Sequence, residues 1–144
     1  MMHSFSQRSF QAVLLLMGIG ITWIGLDVGL GGLDTLGWQG REPFFQIVSE
    51  PGFLIQDSHQ RFLGGLFGAI GLFCLWAAFR PQQYVGELRL IFGAIFIGGL
   101  ARLSQQRLDV IYSQDIVFTA GFELILMPIL LLWSRTIPES RQTL

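Results

Sequence analysis

Lysine, asparagine and much of the usual charge are missing from this chain of 144 residues. Charged residues make up 13% of the sequence, whereas soluble domains carry about 25%. The nine basic residues are all arginine and are offset by ten acids, which leaves a net charge of −1. A nucleic-acid-binding protein needs an excess of basic charge on its surface, so we expect no nucleic-acid partner.

Cysteine and histidine are also scarce. The one cysteine, Cys74, excludes an internal disulfide and a cysteine-based zinc site. The two histidines, His3 and His59, are too few for a histidine-based metal site. His59 could ligate a haem or chlorophyll metal, but an interfacial histidine is the simpler interpretation. No nucleotide-binding loop and no pair of nucleophile and base is visible, so we expect no catalytic residue, metal or cofactor.

Apolar residues, by contrast, make up 51% of the chain and form four long runs. A helix needs about 20 such residues to cross the roughly 30 Å hydrocarbon layer of a membrane. Two runs carry no internal charge, the third takes in Arg89 and Arg102, and the fourth takes in Glu123. We therefore predict an all-α integral membrane four-helix bundle, a single domain over residues 1–144, with the lipid bilayer as a partner. The predicted helices are 9–28, 61–79, 86–108 and 116–134.

The distribution of arginine predicts how these helices are oriented. The first apolar run follows Arg8 as in a signal peptide, but its length favours a span that is retained. With four spans, the side that holds both termini carries Arg8, Arg80, Arg89, Arg135 and Arg141, and the other side carries Arg41, Arg61 and Arg107. Since arginine favours the cytoplasmic side, we predict cytoplasmic termini in a bacterial-type inner membrane or a thylakoid membrane.

A long outer loop, residues 29–60, joins the first two predicted helices. Within it, Pro43 to Glu50 predicts a short helix that ends before Pro51. Aromatic side chains in the loop are suited to the level of the lipid headgroups. We take Trp38, Phe44, Phe45 and Phe53 as candidates for contact with a partner. An interfacial helix, a re-entrant segment and a docking surface for a partner subunit all remain open.

Small residues share helix faces with two arginines. They are Gly64, Gly65 and Gly68, which follow Arg61 on helix 2, and Ala94, Gly98 and Gly99, which precede Arg102 on helix 3. Stripes of small residues let membrane helices approach closely, because lipid offers no hydrophobic drive for their association. We therefore predict that helices 2 and 3 pack stripe to stripe.

Glu123 on helix 4 is the predicted partner of Arg102. Counted from the outer ends of their helices, both residues lie roughly 10–12 Å deep at 1.5 Å per residue. Pro128, five residues further on, is expected to kink helix 4. The pair is interpreted either as a lock that fixes which helices face each other, or as part of a polar ligand pocket with Arg61 and His59.

Three motifs resemble a bacterial domain-of-unknown-function family of small four-helix membrane proteins. They are the segment from His59 to Leu66, the segment from Gly98 to Leu103, and Phe122-Glu123-Leu124 followed by Pro128. The resemblance implies four spans and singles out Arg61, Arg102 and Glu123, but it implies no activity. In size and span count the chain is also similar to DoxX-like membrane proteins, some of which are subunits of quinone-linked oxidoreductases.

Two functions follow as hypotheses. The first is a non-catalytic accessory or assembly subunit of a larger membrane complex, because the outer loop is apolar and no catalytic constellation is visible. The alternative is a small binding or transport-like protein that holds a lipid, a quinone or an anionic ligand in the Arg/Glu pocket near the outer face. A membrane enzyme or redox subunit is a third hypothesis and would need a cofactor or partner from elsewhere.

Overall fold

The computed structural model describes residues 2–34, 49–106 and 112–140. In these ranges the regular elements are helices, with no strand: α1 (Met2–Gly31), α2 (Glu50–Ala78), α3 (Val85–Arg102), α4 (Gln114–Gly121) and α5 (Met127–Ser134). A π-helical turn, Phe122–Leu126, joins α4 to α5, so residues 114–134 form one helical run, here called the last helix. The predicted all-α fold class is confirmed.

Three of the described helical segments are long and apolar enough to cross a membrane: Ser6–Gly31, Glu50–Ala78 and Ile116–Ser134. Large apolar side chains on their outer faces, such as Leu16, Leu72 and Leu132, are exposed and are suited to contact with lipid. The chain is therefore an integral membrane protein. α3 is not among the three, and its 18 residues include Glu87, Arg89 and Arg102.

The chain divides into two compact units, Met1–Phe79 and Arg80–Leu144. In the first unit, α1 and α2 run antiparallel along a seam of small residues. Gly25 faces Gly68, and Gly29 faces Gly64. Four residues further along α1 therefore correspond to four residues earlier on α2, as expected for antiparallel helices. A Cβ atom built on Gly64 would lie 2.7 Å from the Cα atom of Gly29, so position 64 has no room for a larger residue.

The prediction that the glycine stripe of helix 2 faces helix 3 is therefore wrong for Gly64 and Gly68. Both glycines are in close contact with α1, which carries its own small residues, Gly25 and Gly29, four positions apart. Gly65 lies beside the seam and is exposed, and a Cβ atom built on it would meet nothing within 4 Å. The stripe on α2 was predicted from the sequence, but the matching stripe on α1 was not.

The start of α2 also corrects the sequence analysis, which extended the outer loop to residue 60. α2 begins at Glu50, and the hydroxyl of Ser49 caps it by accepting the backbone N–H of Gly52 at 3.4 Å. Pro51 lies in the first turn, where the helix needs no N–H donor, so it begins a helix rather than ending one. Phe53 is therefore on α2. Trp38, Phe44, Phe45 and the short helix predicted from Pro43 fall outside the described residues, apart from the last two residues of that helix, Ser49 and Glu50.

In the second unit, α3 lies antiparallel to the last helix. Fully buried side chains from both elements, Leu88, Phe92, Met127 and Leu130, form the core between them. α3 ends at Arg102 rather than at residue 108 as predicted, and a short turn, Leu103–Gln105, leads to Gln106 in the left-handed conformation. After the last helix the chain folds back, and the N–H of Ser140 donates to the carbonyl of Gln82 at 3.0 Å.

Candidate functional site

Arg102 and Glu123 form a bidentate ion pair inside the second unit. The Arg102 Nε atom donates to Oε2 of Glu123 at 2.5 Å, and Nη2 donates to Oε1 at 2.7 Å. Glu123 is 8% exposed, while the side chain of Arg102 is 40% exposed. The parallel fork of an arginine on a carboxylate is a strong, charge-assisted arrangement. Both carboxylate oxygens are thereby occupied, and the pair ties α3 to the last helix.

Glu123 lies in the π turn of the last helix, a feature that the sequence analysis missed. The N–H of Met127 donates to the carbonyl of Phe122, five residues back instead of four. Pro128 offers no N–H, and its ring crowds the carbonyl four residues back, so it favours a change of register in the turn before it. A proline five residues after a membrane-embedded glutamate was the available signal. It was interpreted as a kink.

Gly99 allows α3 to approach this turn. A Cβ atom built on Gly99 would lie 2.7 Å from the Cβ atom of Glu123 and 3.1 Å from Cδ2 of Leu124. Gly99 therefore packs against the π turn. Ala94 and Gly98, the other members of the predicted stripe on helix 3, are exposed.

Arg89 forms a second tie at the opposite end of α3, and no site was predicted there. Its Nε donates to the hydroxyl of Ser134 at 3.3 Å, and its Nη2 donates to the Ser134 carbonyl at 3.1 Å. Ser134 is fully buried and is the last residue of α5. A guanidinium there satisfies a terminal carbonyl and opposes the negative end of the helix dipole. The signal was a serine that ends an otherwise apolar run.

In the first unit, Arg61 and Asp57 of α2 close the end of α1. Arg61 donates through Nε to Asp57 at 2.6 Å, through Nη1 to the carbonyl of Leu30, and through Nη2 to the carbonyl of Gly31 at 3.2 Å. Asp57 also accepts the N–H of Leu33 at 2.8 Å. The two side chains thus satisfy backbone groups that the end of a helix leaves without partners.

Gly32 makes this closure sterically feasible. It has a φ of +66°, the left-handed conformation that commonly ends a helix and that glycine adopts without strain. A Cβ atom at this position would lie 2.9 Å from Cγ of Asp57 and 3.0 Å from Nε of Arg61. The end of α1 therefore needs a glycine as well as the charged pair on α2.

The remaining predicted pocket residues, His59 and Arg61, both lie on α2 in the first unit. His59 is exposed on α2, and the guanidinium of Arg61 is occupied by Asp57 and the end of α1. The pocket that would combine these residues with Arg102 and Glu123 stays a prediction. Within the described residues, no group of three or more histidine, cysteine, aspartate or glutamate residues could hold a metal ion.

The structure is that of an all-α integral membrane protein, in which arginine side chains link neighbouring apolar helices. The chain belongs to the family described as "Domain of unknown function (DUF4345)", whose family model matches residues 9–134. The match extends from α1 to the last residue of α5 and includes Arg61, Arg102 and Glu123. Membership confirms the resemblance to an uncharacterised family. Comparisons with curated proteins and with solved structures found no match.

Proposed function

We propose that this protein is a non-catalytic accessory or assembly subunit of a larger membrane protein complex. The observation that carries the proposal is the exposed apolar end of α2. Arg61 and Asp57 hold the end of α1, so residues 50–56 of α2 extend past it. In this extension Leu54 and Ile55 are 58% and 57% exposed.

This exposed pair is suited to a protein partner rather than to lipid tails. Its neighbours Glu50, Gln56 and Ser58 are polar and exposed, which is typical of the headgroup level rather than of the hydrocarbon layer. Apolar side chains grouped at such a level are typical of interaction sites. Phe53 lies on the same turn, as one of the four aromatic partner-contact candidates.

The charged side chains support a structural role for the helix pairs. Arg61, Arg89 and Arg102 each hold a carbonyl or a carboxylate of a neighbouring helix. Side chains used in this way stabilise a scaffold, and a scaffold is what an accessory subunit supplies.

We further propose that α3 is a fourth membrane crossing. Arg89 and Arg102 contact Ser134 and Glu123, so α3 follows the spanning part of the last helix over about 20 Å at 1.5 Å per residue. Four crossings bring both termini to one side. Exposed Arg80 and Arg135 support a cytoplasmic assignment for that side, in a bacterial-type inner membrane or a thylakoid membrane.

Crosslinking in native membranes, followed by affinity purification of the tagged chain, tests the subunit proposal. We expect a stoichiometric protein partner with the wild type, and recovery reduced about tenfold by Leu54→Ala, because truncating one apolar contact costs about 1–3 kcal/mol. Leu72→Ala is the matched control, since Leu72 is on the same helix and is also 58% exposed. Absence of a stoichiometric partner, or equal loss with both variants, would contradict the proposal.

A further inference from the structure

Arg102 uses only part of its hydrogen-bonding capacity in the ion pair. A guanidinium has five N–H donors, and only Nε and Nη2 reach Glu123. Among the residues that the structure describes, Nη1 has no hydrogen-bond partner, and its side of the guanidinium is here called the unused edge. The side chain of Arg102 is 40% exposed, so part of it is open to the surroundings of the protein.

The depth of Arg102 sets what those surroundings are. Arg102 is the last residue of α3, at the end where the helix gives way to a short turn. After Arg102, residues 103–106 are all exposed and include Ser104, Gln105 and Gln106. The unused edge is therefore near the boundary between hydrocarbon and headgroups, where unpaired N–H donors are unfavourable unless an acceptor is present.

We propose that the unused edge of Arg102 binds a phosphate group, with the headgroup of a phospholipid as its natural source. Phosphate oxygens match the planar fork of a guanidinium, and a long arginine side chain at a helix end reaches the interface readily. Glu123 holds the other edge and so fixes the plane of the guanidinium. This site does not involve Leu54 or Ile55, the exposed apolar residues of α2 that are proposed to contact a partner.

Native mass spectrometry of the purified protein tests this assignment, with dioleoylphosphatidylglycerol as the probe and phosphate-free dioleoylglycerol as its control. We expect the wild type to retain the phospholipid only, and Arg102→Gln to weaken its retention about tenfold or more. Glu123→Gln should retain the phospholipid at least as well as the wild type, because the guanidinium loses a competing anion while the glutamine carbonyl can still accept a hydrogen bond from it. Arg89→Gln, which alters the other arginine tie of α3, should leave retention unchanged.

The different effects expected for Arg102→Gln and Glu123→Gln separate lipid binding from folding. Both remove the ion pair, so a purely structural role would lower retention in both, and equal loss overturns the proposal. Retention of dioleoylglycerol, or full retention in Arg102→Gln, also overturns it. The double variant Arg102→Gln/Glu123→Gln keeps a neutral pair for folding and should still lose the lipid. If excess inorganic phosphate displaces the bound phospholipid, the site recognises phosphate and a free ion is its natural source. If the phospholipid is retained, the lipid headgroup is the source.

Discussion

At the scale of single residues, the behaviour of the membrane-embedded charges depends on their partners. An unpaired carboxylate in an apolar helix is strongly unfavourable, whereas one whose two oxygens are both occupied by a guanidinium is tolerated. Glu123 is in the second situation. Its pairing with Arg102 is better interpreted as a specification of which helix faces match than as a large net gain in stability.

A charge-swap cycle measures this pairing. Arg102→Glu and Glu123→Arg each put two like charges together, so we expect each to lower the free energy of unfolding by about 3 kcal/mol, the low end of the range for a broken buried pair because Arg102 is partly exposed. The combined swap should recover at least half of the summed loss. Unfolding in mixed detergent, monitored by circular dichroism, gives the free energy of unfolding of the two single variants and of the combined swap. Simple additivity of the two losses would show that the side chains do not interact.

The predicted pairing of Arg102 with Glu123 is present, although the depth of Arg102 was counted from a helix end at residue 108 and α3 ends at Arg102 itself. The contact of Arg89 with Ser134 was not foreseen, because it depends on where the last helix ends. The contacts of Arg61 with the carbonyls of Leu30 and Gly31 were missed for a related reason. Every residue has a carbonyl, so the sequence alone does not show which ones lack a donor until helix ends are known.

At the scale of elements, the glycine seam shows that a stripe of small residues predicts a close helix contact but not which helix is the neighbour. Small residues at helical spacing occur on α1, α2 and α3, and each stripe predicts a close helix contact. The choice of neighbour depends on how the whole surfaces fit, and this is why the stripe of α2 was assigned to the wrong helix. The start of α2 was missed because Pro51 is compatible with the end of one helix and the first turn of another.

The adjacent glycines Gly64 and Gly65 offer a matched test of the seam. Gly64→Ala introduces a methyl group against the backbone of Gly29, so we expect a loss of about 2 kcal/mol in the free energy of unfolding, typical of overpacking. Gly65→Ala makes the same chemical change one residue away, where nothing lies within 4 Å, and should be neutral or stabilising by up to about 1 kcal/mol. Thermal unfolding of both variants measures the two changes in stability. Equal changes would contradict the close contact of Gly64 with α1.

At the scale of the whole molecule, composition was sufficient to predict an integral membrane protein. Low charge and long apolar runs leave few alternatives. The number of crossings is less directly encoded, because α3 carries Glu87, Arg89 and Arg102 and resembles a spanning helix only once its neighbour is known. The outer loop carries the apolar residues that motivated a partner, but its aromatic character alone did not distinguish an interfacial helix from a docking surface.

Cysteine labelling tests the proposed fourth crossing. In a Cys74→Ser background, Gln105→Cys follows α3, while Gln83→Cys precedes it and Glu139→Cys follows the last helix. With α3 across the membrane, an impermeant maleimide should label Gln105→Cys in intact cells. The other two should be labelled only after lysis, since both would be cytoplasmic. Labelling of Gln83→Cys and Gln105→Cys from the same side would mean that α3 does not cross.

The migration of the chain on a native gel, after extraction of native membranes in a mild detergent, tests the subunit proposal most directly. We predict that the protein migrates in a larger complex, and that a second protein separates from it in a denaturing second dimension. The ion pairs and the glycine seam would then stabilise the scaffold by which this protein joins its partner. Migration as a free monomer under the same conditions would contradict the account.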